Sequence, residues 1–231
     1  GYLCPGLTSY VGERLALRAG VLPLDLVGQG CGAALPSLRT AEALIASGRC
    51  AQVLCVCVEI CSAALYIDDD PGVLISACLF GDGAAAAVVS AAPRPGTRRI
   101  EWVASESMTD PAERDALRME SRSGLLRNVL SARVPELAAQ RAAALLVQGL
   151  ARRGVPRSAV RAWLLHAGGR TVLERLRAAI GLTEDDTRRS ADILERCGNL
   201  SSPFVLFVLE AALAEPAPPG WWWMSSFGAG F

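Results

Sequence analysis

Histidine is almost missing from this chain: one in 231 residues, with no C-x-x-C pair to go with it. Structural and catalytic zinc sites draw on several such ligands, so a metal centre is not expected. Net charge is missing as well, because 23 basic side chains face 23 acidic ones. A protein that neutralises phosphates needs a basic excess, so nucleic acid is not an expected partner. No apolar run reaches the roughly 20 residues of a membrane span. The first residues also lack the charged-then-apolar order of a secretory leader. With 52% hydrophobic and 20% charged residues, disorder is excluded too. The expectation is a soluble cytoplasmic protein. The chain begins at Gly1 without methionine and stops at Phe231 directly after a glycine-rich turn, so both ends read as cuts.

Cysteine is plentiful, with eight in the chain. In a small secreted protein that number would suggest disulfides. Here Cys50, Cys55, Cys57 and Cys61 fall in or beside an apolar run, where cysteine serves as a small buried hydrophobe. Free thiols are expected.

Strands and helices alternate along the sequence, which predicts an α/β fold. Residues 10–19 read as a short helix closed by Gly20, residues 22–27 as a strand, and Gly28-Gln29-Gly30 as a tight turn. Leu35, Leu38, Ala41, Leu44 and Ile45 recur at helical spacing over residues 36–46. The β-branched run 53–58 predicts a buried central strand. Residues 68–72 read as a loop, and residues 83–89 as another buried strand. The segment 92–96, Ala-Pro-Arg-Pro-Gly, is the best internal boundary, dividing the chain into residues 1–95 and 96–231. Past it, strands are expected at 100–104, 162–165 and 221–226, and helices at 135–153, 171–180, 187–196 and 202–214. Residues 105–130 carry no clear period.

Three residues stand where chemistry could be done. Cys31 follows a strand and a glycine turn and opens a helix, where free backbone N–H groups and the helix dipole favour the thiolate. A buried cysteine that merely starts a helix gives the same local pattern. His166 ends the strand Trp163-Leu164-Leu165 and precedes Ala167-Gly168-Gly169, a loop that can face a cavity. A lone histidine is also compatible with a purely structural place. Asn199 lies in Gly198-Asn199-Leu200-Ser201-Ser202, where it reads equally as a helix N-cap. Phe227-Gly228-Ala229-Gly230 and Phe80-Gly81-Asp82-Gly83 read as turns, the first able to let backbone pass close to a ligand.

Together these pieces are more specific than singly. From Pro5-Gly6 through Gly30-Cys31, Val53-Leu54 to Glu59, Leu79-Phe80-Gly81-Asp82-Gly83-Ala84-Ala85-Ala86, His166-Ala167-Gly168-Gly169, Gly198-Asn199-Leu200-Ser201-Ser202 and Phe227-Gly228-Ala229-Gly230, the chain resembles the type III polyketide synthases. These are the chalcone and stilbene synthase family of the thiolase superfamily. The resemblance implies a thiolase-like layered α-β-α-β-α fold, here incomplete: the first part of the N-terminal half and the last strand are absent. Residues 1–95 would be the remainder of the N-terminal half, with the nucleophile, and 96–231 the C-terminal half. Cys31, His166 and Asn199 would be the catalytic set. Phe80 would guard the mouth of the site, Ala64 would widen the cavity where the plant enzymes carry threonine, and Ser201 would shape its wall. Two motifs depart from the family wording: His-Pro-Gly-Gly is His166-Ala167-Gly168-Gly169 here, and Gly-Phe-Gly-Pro-Gly is Ser226-Phe227-Gly228-Ala229-Gly230.

The implied function is an acyltransferase that joins malonyl-CoA to an acyl chain held on Cys31, with loss of carbon dioxide. Coenzyme A thioesters are its substrates, an acyl-CoA starter and malonyl-CoA; no cofactor or metal is implied, and a homodimer is. His166 would pair with Cys31 as an imidazolium. A fatty-acid-type condensing enzyme of the 3-ketoacyl-CoA synthase or ketoacyl-ACP synthase III kind, making one extension, is the near alternative, and a non-catalytic homologue another. A papain-like peptidase shares the order Cys, His, Asn, but the Cys-Gly-Ser/Ala-Cys-Trp/Tyr signature is absent.

Overall fold

In the computed structural model the described residues are 4–229, except 65, 68, 97, 123, 217 and 218. Gly230, expected in the closing turn, and Asp68, expected in a loop, lie outside them. The described elements run α1 (Leu7–Arg14), α2 (Ala34–Ala46), β1 (Gln52–Glu59), α3 (Pro71–Leu79), β2 (Gly83–Ser90), β3 (Leu117–Arg122), β4 (Leu125–Leu130), α4 (Val134–Arg152), β5 (Val160–Leu165), α5 (Arg170–Ile180), α6 (Glu184–Cys197), α7 (Phe204–Ala214) and β6 (Trp221–Ser225). A 3₁₀ turn, Gly30–Gly32, carries Cys31, and another spans Cys61–Ala64.

The strands form three pairs. β1 and β2 run antiparallel from Gln52↔Ser90 to Glu59↔Gly83. β3 and β4 form an antiparallel hairpin, and β5 lies parallel to β6. The run 53–58 is thus a strand, but its burial alternates. Cys55 and Cys57 are buried while Leu54 is 38% exposed. One face packs on helices and the other faces outward, which is the habit of an antiparallel pair. All eight cysteines are free thiols.

Two apolar clusters hold the molecule. The larger joins β5, α4, α5, α6 and α7 through Leu146, Trp163, Leu164, Leu165, Leu176, Ile193, Phe204 and Val208. α5 and α6 each turn one apolar stripe to this cluster. α6 opens on a capping box, in which Thr183 and Asp186 satisfy each other's backbone N–H groups. The smaller cluster packs Ala34, Leu38 and Ala41 of α2 and Cys55 and Cys57 of β1 against Val205 and Leu206 of α7. α7 is apolar all round and serves both clusters, so residues on either side of segment 92–96 share one interior.

Four expectations change. Residues 22–27 are irregular, with Leu22 70% and Val27 72% exposed, and residues 100–104 form no strand either. Apolar, β-branched residues make a strand only when a neighbour accepts their hydrogen bonds, and no strand pairs with either stretch among the described residues. Helix α1 ends at Arg14, well before Gly20, and Ala16 beyond it takes a positive φ of 49°. Residues 69–72 are not simply a loop. Asp70 caps α3 by accepting from the Gly72 and Val73 N–H groups, and Pro71 occupies the first turn, where its missing N–H costs nothing. Among the described residues no helix is long and apolar enough to cross a membrane.

Candidate active site

β5 delivers His166. Four of its six residues, Ala162 to Leu165, are buried without interruption, so the strand ends deep inside. The His166 N–H donates to Ser225 O at 2.9 Å, fixing the residue beside the end of β6. Its ring meets Phe204 edge-on at 5.2 Å and Phe227 at 4.9 Å. The side chain is 1% exposed, and neither ring nitrogen has a hydrogen-bond partner among the described residues. Burial pushes the imidazole down to about 3, so it is neutral at physiological pH. Burial by itself disfavours the imidazolium expected to pair with Cys31, because it strips the charged ring of solvent.

Asn199 is placed by backbone. Its N–H donates to Leu79 O at 2.8 Å, and its own carbonyl accepts from Gly81 N at 3.1 Å. This forms a short parallel bridge between residues 80 and 199. Phe80, the residue after α3, thereby sits next to Asn199. The contact is so close that a Cβ on Gly81 would lie 2.2 Å from Cys197 O, and one on Gly198, whose φ is 71°, 2.8 Å from Leu79 O. Gly81 is needed for this approach rather than for a turn. The Asn199 side chain, 2% exposed, donates through Nδ2 to Gly168 O at 3.3 Å and accepts through Oδ1 from Ser201 N at 2.9 Å. It does not cap α7, whose N-cap is Pro203.

Cys31 reaches this group through Ser201, whose Oγ lies 3.3 Å from Cys31 Sγ. The segment after β6 closes the other side. Ser226 Oγ donates to Gly32 O at 3.3 Å, and a Cβ on Gly228 would meet Gln29 O at 2.3 Å. So the turn at 227–229 lies on the Cys31 turn while Phe227 touches His166. Atom by atom, the path runs Cys31–Ser201–Asn199–Gly168, two residues from His166, and back through Phe227. The three residues sit in one cluster.

Burial pushes the Cys31 thiol up and outweighs the Ser201 hydrogen bond that draws it down; the nearby Glu59 carboxylate raises it further. The helix start expected to ionise it is a 3₁₀ turn of three residues ahead of α2, and desolvation prevails there. Cys61 is close enough for its thiol, pushed up to about 11 first by burial, to feel the charges of Glu59, Cys31 and Asp82. Ser202 Oγ donates to Glu59 Oε1 at 2.8 Å. Ala64 ends the Cys61 turn and is half-buried, outside the hydrogen-bonded cluster. Sequence reading passed over Glu59 as a functional residue, and Cys61, Ser202 and Phe204 likewise. A lone carboxylate at the end of the apolar run 53–58 was the one signal available. Among the described residues no group of His, Cys, Asp or Glu could hold a metal ion.

What this arrangement can do follows from its parts. A half-buried thiol, a buried neutral imidazole and a buried carboxamide are linked through the contacts above, and neither imidazole nitrogen has a partner among the described residues. A thiol can hold an acyl group and N–H donors can stabilise an oxyanion, so the set has the equipment for both. Residues 25–111 match the family of 3-oxoacyl-[acyl-carrier-protein (ACP)] synthase III, and residues 111–216 match the C-terminal domain of chalcone and stilbene synthases. The chain is 31% identical over 221 residues to a 3,5-dihydroxyphenylacetyl-CoA synthase of Streptomyces toyocaensis, covering 93% of this chain and 57% of that protein. It superposes on the C-terminal type III polyketide synthase domain of Steely1, a type I/III hybrid from Dictyostelium, with a TM-score of 0.91 and 26% identity, over 100% of this chain and 65% of that one. With 1,3,6,8-tetrahydroxynaphthalene synthase from Streptomyces coelicolor A3(2) the TM-score is 0.81 at 26% identity, over 93% of this chain and 61% of that one. The chain thus spans roughly three fifths of the length of these relatives.

Proposed function

Because the chain belongs to the type III polyketide synthases and has their thiolase-like α/β fold, we propose that it carries the condensing centre of an acyltransferase joining malonyl-CoA to a cysteine-bound acyl chain. The observation that supports this best is the orphaned imidazole: a fully buried His166 with both nitrogens unpartnered, in the same cluster as Cys31 and Asn199. A buried polar group without a partner costs of the order of 1–3 kcal/mol, and a substrate oxygen would relieve that cost.

In this reading Cys31, as thiolate, attacks the carbonyl of an acyl-CoA; a C–S bond forms and coenzyme A leaves as thiolate. Malonyl-CoA then sets its thioester oxygen against His166 and Asn199. The bond to the carboxylate breaks, carbon dioxide leaves, and the electron pair moves to that oxygen as an enolate. A neutral imidazole N–H is enough to donate there. The enolate carbon attacks the Cys31 thioester, the Cys31 thiolate leaves, and the product is a CoA thioester two carbons longer. Decarboxylation itself supplies the carbanion, so no strong base is required. Phe80, beside Asn199, would press on the malonyl unit, and Ala64 and Ser201 would line the cavity. Coenzyme A thioesters are then the only small molecules needed. Residues 1–95, as the remainder of the N-terminal thiolase-like half, and 96–231, as the C-terminal half, belong to each protomer of a cytoplasmic homodimer.

Two measurements test this. Cys31→Ala removes covalent labelling by an acyl-CoA; labelling that persists sinks the nucleophile assignment. His166→Gln lowers carbon dioxide release from malonyl-CoA by about 10²–10³-fold, the usual cost of one oxyanion donor, while Cys31 still accepts acyl groups. Unchanged release excludes His166 from that role.

A further inference from the structure

Beyond its place in the cavity wall, Ser201 has a local geometry that serves Cys31. Its φ is +58°, and with Ala16 it is one of two non-glycine residues at positive φ among the described residues. That region crowds the Cβ of a residue with a side chain, so something must hold it. Two hydrogen bonds hold it: Asn199 Oδ1 accepts the Ser201 N–H at 2.9 Å, and Ser201 O accepts the Phe204 N–H at 3.2 Å at the start of α7. Phe204 is wholly buried and Ser201 is 6% exposed, so the turn is anchored in the core. The outcome is Ser201 Oγ at 3.3 Å from Cys31 Sγ. No other side chain hydrogen-bonds to that sulfur among the described residues, and His166 does not. The neighbouring serine goes elsewhere, with Ser202 Oγ donating to Glu59.

We propose that Ser201 is the positioning residue of the nucleophile: a left-handed backbone clamped by the Asn199 carboxamide brings its hydroxyl to the Cys31 sulfur, and that hydrogen bond supports the sulfur when it is ionised. The inference rests on Cys31 being the nucleophile. The hydroxyl keeps its proton throughout. It donates to the thiolate before acyl transfer and again when the sulfur is expelled as leaving group. Asn199 accordingly has two tasks, one toward substrate and one toward Ser201.

The test is the pH profile of Cys31 alkylation by iodoacetamide, in which an S–C bond forms and iodide leaves. It is read by mass spectrometry on the tryptic peptide of residues 19–39, which holds no other cysteine. Ser201→Ala and Ser201→Gly both remove the hydroxyl, but only glycine relieves the left-handed backbone. The inflection should move up by about one pH unit in both variants, as expected for losing a hydrogen bond to a charged group. Below the inflection the rate should fall by only about threefold, because a more basic thiolate is a better nucleophile. An unshifted profile in both variants, or a shift in Ser201→Ala alone, overturns the role of the hydroxyl. Should Ser201→Ala lose its fold by circular dichroism, the glycine variant decides. In parallel, acetyl-CoA is offered to the wild-type chain. Acylation of Cys31 together with unshifted variants removes the Ser201 role and leaves the nucleophile standing. A Cys31 that never becomes acylated removes the nucleophile assignment, whatever the alkylation profiles show.

Discussion

The two sides of the site are built in opposite ways. His166 leaves a strand buried from Ala162 onward and is wedged between Phe204 and Phe227 in the larger core. Cys31 follows residues 21–27, which are irregular and expose Val21, Leu22, Leu24, Leu26 and Val27. The side proposed to donate to an oxyanion is therefore a property of the core, whereas the side of the proposed nucleophile is held by contacts with two loops, 199–202 and 226–229. An oxyanion site needs fixed dipoles, and a packed interior fixes them; a nucleophile must change partners, and a loop permits that.

The sharpest way to break this contrast is to hollow the donor side. Phe204 is 0% exposed and touches the His166 ring, so Phe204→Ala should cost about 3–5 kcal/mol of stability. Urea unfolding followed by circular dichroism measures it. A loss under 1 kcal/mol would mean that the His166 pocket is not a rigid part of the core. On the nucleophile side the corresponding change is Gly228→Ala. Its Cβ would stand 2.3 Å from Gln29 O and 2.9 Å from Gly32 N, so the two loops must part. The expected cost is smaller, about 1–3 kcal/mol, because loops yield more easily than a core. Cys31 alkylation should change markedly while the near-ultraviolet spectrum of the core aromatics does not. Equal disturbance of both would erase the distinction.

Legibility in the sequence divides along the same line. α2, α4, α5 and α6 could be read because their apolar residues recur at helical spacing, α7 because its apolar run is too long for a strand, and β5 and β6 because short apolar runs end at turn residues. α3 was hidden: Val73, Leu74, Ile75 and Leu79 give it no polar face, although Asp70-Pro71 is a helix-start signal. The β3–β4 hairpin was hidden in the other direction, since Arg118, Glu120, Arg127 and Asn128 interrupt its apolar pattern. Residues 22–27 and 100–104 look like strands, but strand identity depends on a partner that local sequence does not supply. At the site, Cys31, His166 and Asn199 were marked by the glycines beside them. Glu59, Cys61 and Ser202 were not, because what brings them near Cys31 is tertiary: the end of β1, the 3₁₀ turn after it, and the start of α7.

Acid and alkali test the two sides separately. For His166 the folded-state value, about 3, lies below the ordinary 6.5. As pH falls through 6.5 the unfolded chain takes up a proton that the folded chain refuses, so stability declines toward acid by up to about 1.4 kcal/mol per pH unit. Between pH 6.5 and 5, above the range where carboxylates titrate, that decline belongs to the only histidine and amounts to about 2 kcal/mol. His166→Gln should flatten it. For Cys31 the sign is reversed: its folded value is raised, so its contribution is present below the unfolded value near 9 and fades as pH rises above it. Cys57 and Cys61, both pushed up to about 11, share that alkaline decline, so Cys31→Ala should lessen it without abolishing it. Chemical denaturation across pH 5–10 reads both limbs. An acid limb that survives in His166→Gln would show that the buried imidazole is not its source.

The smallest effect is expected where the sequence looks most strand-like. Leu22 is 70% exposed and belongs to neither apolar cluster. Leu22→Ser removes little buried surface, so unfolding free energy should stay within about 0.5 kcal/mol of the parent, as for most surface substitutions. Cys31, nine residues further along, should keep its alkylation rate, because its anchors are Ser201 and the 226–229 loop rather than the segment that leads to it. A loss above 1 kcal/mol, independent of protein concentration, would place Leu22 in a packed interior. A loss that grows on dilution would instead place it at a contact between two copies of the chain. Either outcome would move Cys31 from a loop-held nucleophile to one with a built foundation, and the asymmetry between thiol and imidazole would disappear.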